Sequence, residues 1–264
     1  MTTLTYAVAD SATMLRRNLK RMLRYPAMTA MIISVPVILL LLFVYVFGGT
    51  MGAGLGHLGD GRAAYLRYVL PGIILLTLAT AATSTAVAVA MDMTGGIIAR
   101  FRTMAIARVA VLTGHVLGSM IQSLLGIALV IGVAAAVGYR TSAGLLAWLG
   151  AIGLLVLITF AITWLSVALG LVSGSPETAS NLPMFLMLLP FLGSGFVPTS
   201  TMPAGLRWFA EYQPFTPVIQ TVRGLLTGGP IGDNAIMAVA WGVGIAALSY
   251  LWARRLYRRP MQAR

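Results

Sequence analysis

The chain has 264 residues, of which 59% are hydrophobic and 9% are charged, and its formal net charge is +12. A soluble domain carries about 25% charged residues, and several apolar runs here are long enough to cross a membrane, so the sequence predicts an integral membrane protein without a separate soluble domain. The basic residues cluster at the ends of the apolar runs, which indicates contact with membrane lipids and not with nucleic acid. The absence of cysteine excludes disulfides and thiol chemistry.

The N-terminal stretch, residues 1–26, is predicted to be a cytoplasmic amphipathic helix. A basic helix of this kind lies along the lipid headgroups with its apolar side down. Its role stays open between an elbow that guides the first span and touches a cytoplasmic partner, and a topology anchor alone. The pattern consists of basic residues that alternate with apolar ones: Arg16, Arg17, Lys20, Arg21 and Arg24 with Leu15, Leu19, Met22 and Leu23.

Six membrane crossings are predicted, which makes the fold an all-α integral membrane protein. The first apolar run is longer than the core of a signal peptide, about 7–15 residues, so it is a retained span. The fifth run has sixteen residues, and at ~1.5 Å each it covers roughly 24 Å, which is short of the ~30 Å hydrocarbon core. It must borrow length from the residues after it or turn back inside the membrane. The predicted crossings are 27–47, 68–90, 110–137, 145–169, 182–197 and 235–252.

The positive charges predict the orientation of the chain. With six spans, one side of the membrane carries 13 of the Lys and Arg residues and the other side carries 5. Because cytoplasmic loops carry the excess of Lys and Arg, both termini are predicted to be cytoplasmic, and the stretch between spans five and six is predicted to be extracytoplasmic.

The stretch 92–108 between spans two and three is predicted to be cytoplasmic and to contain a short helix. Ile97, Phe101 and Met104 share one side of that helix, and Arg100 points elsewhere. The alternative is a basic loop that is retained for topology alone.

The stretch 195–228 is predicted to be a re-entrant pair of short helices that caps the outer mouth of a transport path. Prolines at 198, 203, 214 and 217 rule out one long helix here. The first short helix is predicted over 205–212, and the second begins with Thr216 as N-cap and Pro217 at the first helical position. Broken helices at membrane depth are tolerated only where protein or a water-filled cavity covers them.

Specific side chains of this cap have predicted roles. Arg207 and Glu211 are four residues apart and are expected to pair on one helix face. Arg223 is expected to meet a carbonyl or an acidic group, with Glu211 as one candidate, because an unpaired buried cation is costly. An aromatic layer is expected at the depth of the membrane interface, formed by Trp208, Phe209, Tyr212 and Phe215.

Several kinds of chemistry are excluded or weakened. A Walker A loop needs a Gly-rich run that ends in Gly-Lys, and the only lysine, Lys20, has no glycine near it. No carboxylate is expected inside a span, with Asp92 at the cytoplasmic edge, which weakens a proton-driven carrier. No catalytic site and no cluster that binds a metal are expected. His57 is interpreted as solvated and His115 as a packing residue.

The cap and the layout of the spans resemble the ABC-2 type transporter permeases, and the daunorubicin/doxorubicin-resistance branch in particular. The resemblance rests on Gly195-Phe-Val-Pro198, Met202-Pro203, Leu206-Arg-Trp208, Pro214-Phe-Thr-Pro217 and Arg223-Gly224. It implies a cytoplasmic coupling helix that contacts the ATPase through Ile97, Arg100, Phe101 and Met104. The family often has a proline where this chain has Ala105.

The resemblance implies the permease subunit of an ATP-driven exporter in the plasma membrane. A separate ABC ATPase is expected to bind ATP and magnesium, and this chain is expected to hold no cofactor. A second permease copy is expected, with a homodimer favoured over a heterodimer. The implied substrates are amphiphilic drug-like polyketides or lipids. The alternatives are a scaffold or assembly protein that transports nothing and, disfavoured because no span has a continuous polar stripe, a passive channel.

Overall fold

The structure of the protein is a computed structural model that describes residues 26–52, 61–94 and 108–258, together with Arg24. Side chains are described for Arg24 and for 33–52, 61–94 and 113–257. Within these ranges all regular structure is helical. The amphipathic helix predicted for residues 1–26 lies outside the described residues, apart from Arg24 and Pro26.

The helices are numbered in chain order. A π-helical turn, Phe43–Phe47, joins α1 to α2, and a 3₁₀ turn, Thr199–Thr201, precedes α8. The α-helices are α1 (Pro26–Leu42), α2 (Gly48–Gly52), α3 (Gly61–Thr94), α4 (Arg108–Ala136), α5 (Leu145–Val172), α6 (Pro176–Asn181), α7 (Met184–Leu188), α8 (Ala204–Tyr212), α9 (Phe215–Thr227) and α10 (Asn234–Arg258).

Five helical stretches of the described chain are long and apolar enough to cross a membrane. They are α1 with its continuation to Gly52, and α3, α4, α5 and α10. The chain is therefore a multi-pass membrane protein. Helix α3 begins seven residues before the predicted start at residue 68, and α10 continues six residues past the predicted end at residue 252. Both extensions are more polar than the spans themselves, and apolar patterning does not detect them.

The segment predicted as the fifth crossing is not a continuous helix. Residues 182–197 consist of a turn, α7 and a run of turns that ends in a bend at residue 197, and α6 precedes them. Pro183 occupies the N-cap position of α7, and Pro190 has no backbone N–H with which to continue that helix. We call residues 176–197 the broken segment.

Helix α3 is the centre of the packing. Of its most apolar window 72% is buried, against 22–39% in the other four candidate spans. It contacts α1, α4, α5, α6 and α9. Its long apolar residues, such as Leu70, Ile73 and Leu75, are completely buried in the main core cluster. These five helices are therefore arranged around α3, whereas α10 packs on α5 and α9.

The side-chain contacts define the helix directions. The Asp92–His115 contact and the approach of Thr77 to Gly126 make α4 antiparallel to α3. The ring of Trp164 in α5 lies 4.9 Å from that of Tyr250 in α10, and Gly242 lies against Leu157, which makes α10 parallel to α5. All four helices meet at one end of the bundle in a second, smaller core cluster: Val89, Val116, Trp164, Val167, Ala168, Ala253 and Tyr257.

Candidate functional site: the broken segment and Arg223

The broken segment runs along the length of α3. Ala179, near its beginning, shares a small buried cluster with Ala86 and Ala90. Gly195, near its end, packs against Gly72. Eighteen residues of helix separate positions 72 and 90, so the segment passes about 27 Å along α3 at 1.5 Å per residue. That distance is comparable with the hydrocarbon thickness of a bilayer, about 30 Å.

Glycine permits the close approach of the two backbones. A Cβ atom on Gly72 would lie 2.6 Å from the carbonyl oxygen of Gly195, and one on Gly195 would lie 2.5 Å from that of Pro190. A Cβ on Gly193 would lie 2.2 Å from the side-chain nitrogen of Gln213. A larger residue at position 72 or 193 would separate the broken segment from α3 or from the start of α9, and one at position 195 would distort the turns after Pro190.

The irregular backbone of the broken segment receives hydrogen bonds from the polar residues at the start of α9. Gln213 Nε2 donates to the carbonyl of Leu189 at 3.2 Å and to the hydroxyl of Thr216 at 2.9 Å. The backbone N–H of Ser194 donates to that same Thr216 hydroxyl at 3.2 Å. Because a buried backbone group without a hydrogen-bond partner is costly, these side chains stabilise the break.

Arg223 of α9 joins the broken segment to α3. Its Nε and Nη2 atoms donate to the carbonyl of Tyr68 at 3.2 and 2.9 Å, and Nη2 also donates to the carbonyl of Ser194 at 2.6 Å. Nη1 donates to the side chain of Gln220 at 3.1 Å. The guanidinium lies 3.8 Å from the ring centroid of Tyr68, and Arg223 is only 6% exposed. A single side chain thus contacts three elements.

Arg223 donates to backbone carbonyls, which are one of the two kinds of partner predicted for it. The prediction of Glu211 as its acidic partner is wrong. Glu211 accepts from Arg207 Nε at 2.7 Å and from the hydroxyl of Thr199 at 3.4 Å. The Arg207–Glu211 pair is therefore confirmed. Among the described residues, no carboxylate lies within ion-pair distance of Arg223.

Three of the four side chains predicted for the aromatic layer are exposed on α8, whereas Phe215 is buried and cannot belong to that layer. Trp208, Phe209 and Tyr212 are 68%, 41% and 55% exposed, whereas Phe215 is 1% exposed. Phe215 begins α9 and is part of the main core cluster. The change of helix between positions 212 and 215 turns its side chain away from the other three.

The predicted N-terminus of α9 is also wrong. The helix begins at Phe215 with Pro214 at the N-cap position, and Pro217 lies in the first turn. Thr216 is inside the helix, where its hydroxyl serves Ser194 and Gln213 instead of capping. The other two prolines of the cap, Pro198 and Pro203, occupy the N-cap positions of the 3₁₀ turn and of α8.

Comparison with protein families identifies the chain. Residues 11–227 match the model of the ABC-2 type transporter family, which is most of the sequence and ends where α9 ends. The chain belongs to the ABC-2 type transporter family. The match includes the broken segment, α8 and α9, so the contacts of Arg223 lie within the family domain.

Curated relatives of this ABC-2 type chain include drug-resistance permeases. It is 27% identical over 253 residues to the daunorubicin resistance ABC transporter permease protein DrrB1 of Streptomyces coeruleorubidus, covering 96% of this chain and 87% of that protein. It is 24% identical over 191 residues to the probable doxorubicin resistance ABC transporter permease protein DrrC of Mycobacterium tuberculosis, covering 72% and 69%.

The predicted ATPase contacts of this ABC-2 type chain are not described by the structure. Ile97, Arg100, Phe101 and Met104 lie in 95–107, outside the described residues. The flanking helix ends hold a polar pair that sequence reasoning missed, between Asp92 and His115. Among the described residues, no group of three or more His, Cys, Asp or Glu could hold a metal ion.

Proposed function

We propose that this chain is the membrane subunit of an ATP-driven exporter that moves amphiphilic molecules out of the cell. The observation that carries the proposal is the family match over residues 11–227 together with the broken segment, which follows α3 for about 27 Å. A segment of that reach would act as the sixth crossing in addition to the five long helices, and an even number of crossings returns both termini to one side of the membrane.

The charge distribution supports a cytoplasmic position for both termini. The excess of Lys and Arg on one side, 13 against 5, follows the rule for cytoplasmic loops. In this orientation residues 92–108 face the cytoplasm, where Ile97, Arg100, Phe101 and Met104 would contact a separate ABC ATPase. That ATPase would bind ATP and magnesium, and this chain would hold no cofactor and catalyse no reaction.

In the same orientation, residues 195–228 would form the re-entrant cap on the outer side. The exposed aromatic side chains of α8 suit the membrane interface. Arg223 would hold the cap to the broken segment and to α3. Two copies of the chain, in a homodimer, would enclose the path, and the closing of two ATPase subunits would shift the population between inward-open and outward-open states.

The substrate class is proposed from the relatives and from the chemistry of the spans. The relatives are permeases named for daunorubicin and doxorubicin resistance, and the chain is rich in Met, with fifteen residues. Flexible, polarizable Met side chains suit surfaces that accept several apolar ligands. Drug-like polyketides are the first candidates and lipids are the second.

The test uses proteoliposomes that contain the chain together with a separate ABC ATPase as its candidate partner. ATP is expected to drive daunorubicin, or a fluorescent phospholipid, across the membrane. A matched control replaces the Walker A lysine of the ATPase and abolishes hydrolysis. If the intact complex hydrolyses ATP and moves neither probe faster than this control, the exporter assignment is wrong and a scaffold role is supported.

A further inference from the structure

A second buried polar contact between two helices, apart from that of Arg223, involves Asp92 and His115. His115 Nε2 lies 3.0 Å from Asp92 Oδ2, and both residues are 4% exposed. An ionised carboxylate only accepts hydrogen bonds, so in that state Nε2–H of the imidazole is the donor. The contact connects α3 to α4 across 23 residues of chain.

The pair lies where the chain leaves the described bundle. Asp92 is two residues from the end of α3, and His115 is seven residues from the beginning of α4. These offsets place the contact within about 3 Å of one helix end and about 10 Å of the other, at 1.5 Å per residue. The 13 residues between the two helices, 95–107, include all four predicted ATPase contacts.

The second core cluster lies directly beside this pair. Val89 is three residues from Asp92, and Val116 is next to His115. The same cluster contains Trp164 of α5 and Tyr257 of α10. If the ends of α3 and α4 move together, the side-chain contacts of this cluster therefore pass their displacement to α5 and α10.

Three threonine hydroxyls of α3 form hydrogen bonds only within that helix. The hydroxyls of Thr77, Thr80 and Thr85 donate to carbonyls of their own helix, at 2.8 to 2.9 Å. Such a bond does not fix one helix relative to its neighbour. The Asp92–His115 contact, in contrast, joins α3 to α4.

We propose that Asp92 and His115 are positioning residues that hold the adjacent ends of α3 and α4 at a fixed separation. The movement that ATP imposes on residues 95–107 then reaches α5 and α10 through the second core cluster. This inference rests on the proposed function. Loss of the bond leaves the ATPase able to hydrolyse ATP and lowers the amount of substrate moved for each ATP consumed.

The experiment has two independent measurements on the full chain in complex with its ATPase. The first is the ratio of daunorubicin transported to ATP hydrolysed. The second is the distribution of distances between spin labels on cysteines introduced at Met91 and Leu117, which are 43% and 38% exposed. This chain has no cysteine, so with an ATPase partner whose cysteines have been replaced, labels attach only at the introduced positions.

The variants separate positioning from stability. His115→Leu removes the donor, and His115→Gln retains an amide N–H at a similar reach. Asp92→Asn keeps an acceptor oxygen and removes the charge, which weakens the bond without emptying the site. Thr85→Val is the matched control, because it removes a buried hydrogen bond that stays within α3.

For His115→Leu we expect a broader distance distribution and a transport-to-hydrolysis ratio lower by about 2- to 30-fold, the range of mutational effects on coupling. Asp92→Asn should shift both readouts in the same direction by less, and it decides the case if His115→Leu does not fold. His115→Gln should restore both readouts, and Thr85→Val should leave them unchanged.

An unchanged distance distribution, or a broader one with an unchanged ratio, overturns the inference. If the unsubstituted complex hydrolyses ATP without transport, the proposed function fails. The distance measurement then still decides whether the pair fixes the two helix ends.

Discussion

Replacing Arg223 by alanine is the sharpest test of the broken segment. The side chain donates to the carbonyls of Tyr68 and Ser194 and covers the Tyr68 ring. Its removal leaves the Ser194 carbonyl without this donor in a buried site, which costs about 1–3 kcal/mol. Since 1.4 kcal/mol is a factor of ten, the population with the segment held against α9 should fall by roughly 5- to 150-fold relative to the released population.

The matched control is Arg62→Ala, another arginine on the same predicted side of the membrane. Arg62 is exposed, and its guanidinium lies 4.8 Å from the centroid of the Tyr45 ring. An exposed contact of this kind contributes about 0.5–1 kcal/mol. Arg223→Lys keeps the charge, but an ammonium group cannot replace a planar guanidinium that also stacks on a ring. The loss of efflux in Arg223→Lys should therefore lie between the losses in Arg223→Ala and in Arg62→Ala.

The assay is efflux of a fluorescent substrate from cells at matched expression in the membrane. Arg223→Ala should reduce efflux strongly, whereas Arg62→Ala should remain close to the unsubstituted protein. Equal efflux by the two variants would refute the idea that Arg223 holds the segment in its working position. The same reasoning fails if an experimental structure shows 195–228 as a loose loop clear of the membrane.

Three further predictions concern the predicted ATPase contact, the topology and the backbone contact. Phe101→Asp should leave membrane insertion intact and uncouple ATP hydrolysis from transport, and a wild-type transport rate would remove the coupling assignment. Cysteines introduced at Ser200 and Gln262 should react with an impermeant reagent from opposite sides of the membrane, and labelling of both from outside would exclude six crossings. Gly72→Ala should lower the thermal stability of the purified protein by more than Gly132→Ala. A Cβ at residue 72 would lie 2.6 Å from the Gly195 carbonyl oxygen, whereas a Cβ at residue 132 would meet nothing within 4 Å. Equal melting temperatures would show that the two backbones separate without cost.

The apolar pattern predicts the helical elements better than it predicts their partners. The long runs indicate the positions of the spans, and the density of prolines indicates the break between α5 and α10, because both depend on local sequence. The Ser194 carbonyl can accept from Arg223 because the backbone is broken at that point. The spacing of residues along the chain does not show which carbonyl a break exposes. The same limit explains why the sequence alone favours a packing role for His115, since its partner Asp92 is 23 positions away and on another helix.

The two buried charged groups have different partners because the backbone around them differs. Asp92 lies near the end of a continuous helix. The backbone N–H groups there already donate to carbonyls one turn earlier. A buried carboxylate at this position therefore needs a side-chain donor. Arg223 faces the run of turns around Ser194, where the break exposes a carbonyl that no helical N–H occupies. A cation there is satisfied without a carboxylate, which is why the expectation of Glu211 as its acidic partner is wrong. It follows that one of the acceptors of Arg223 depends on the break: a substitution restoring a continuous helix through residues 189–196 would remove the Ser194 carbonyl and leave Arg223 with the Tyr68 carbonyl and Gln220.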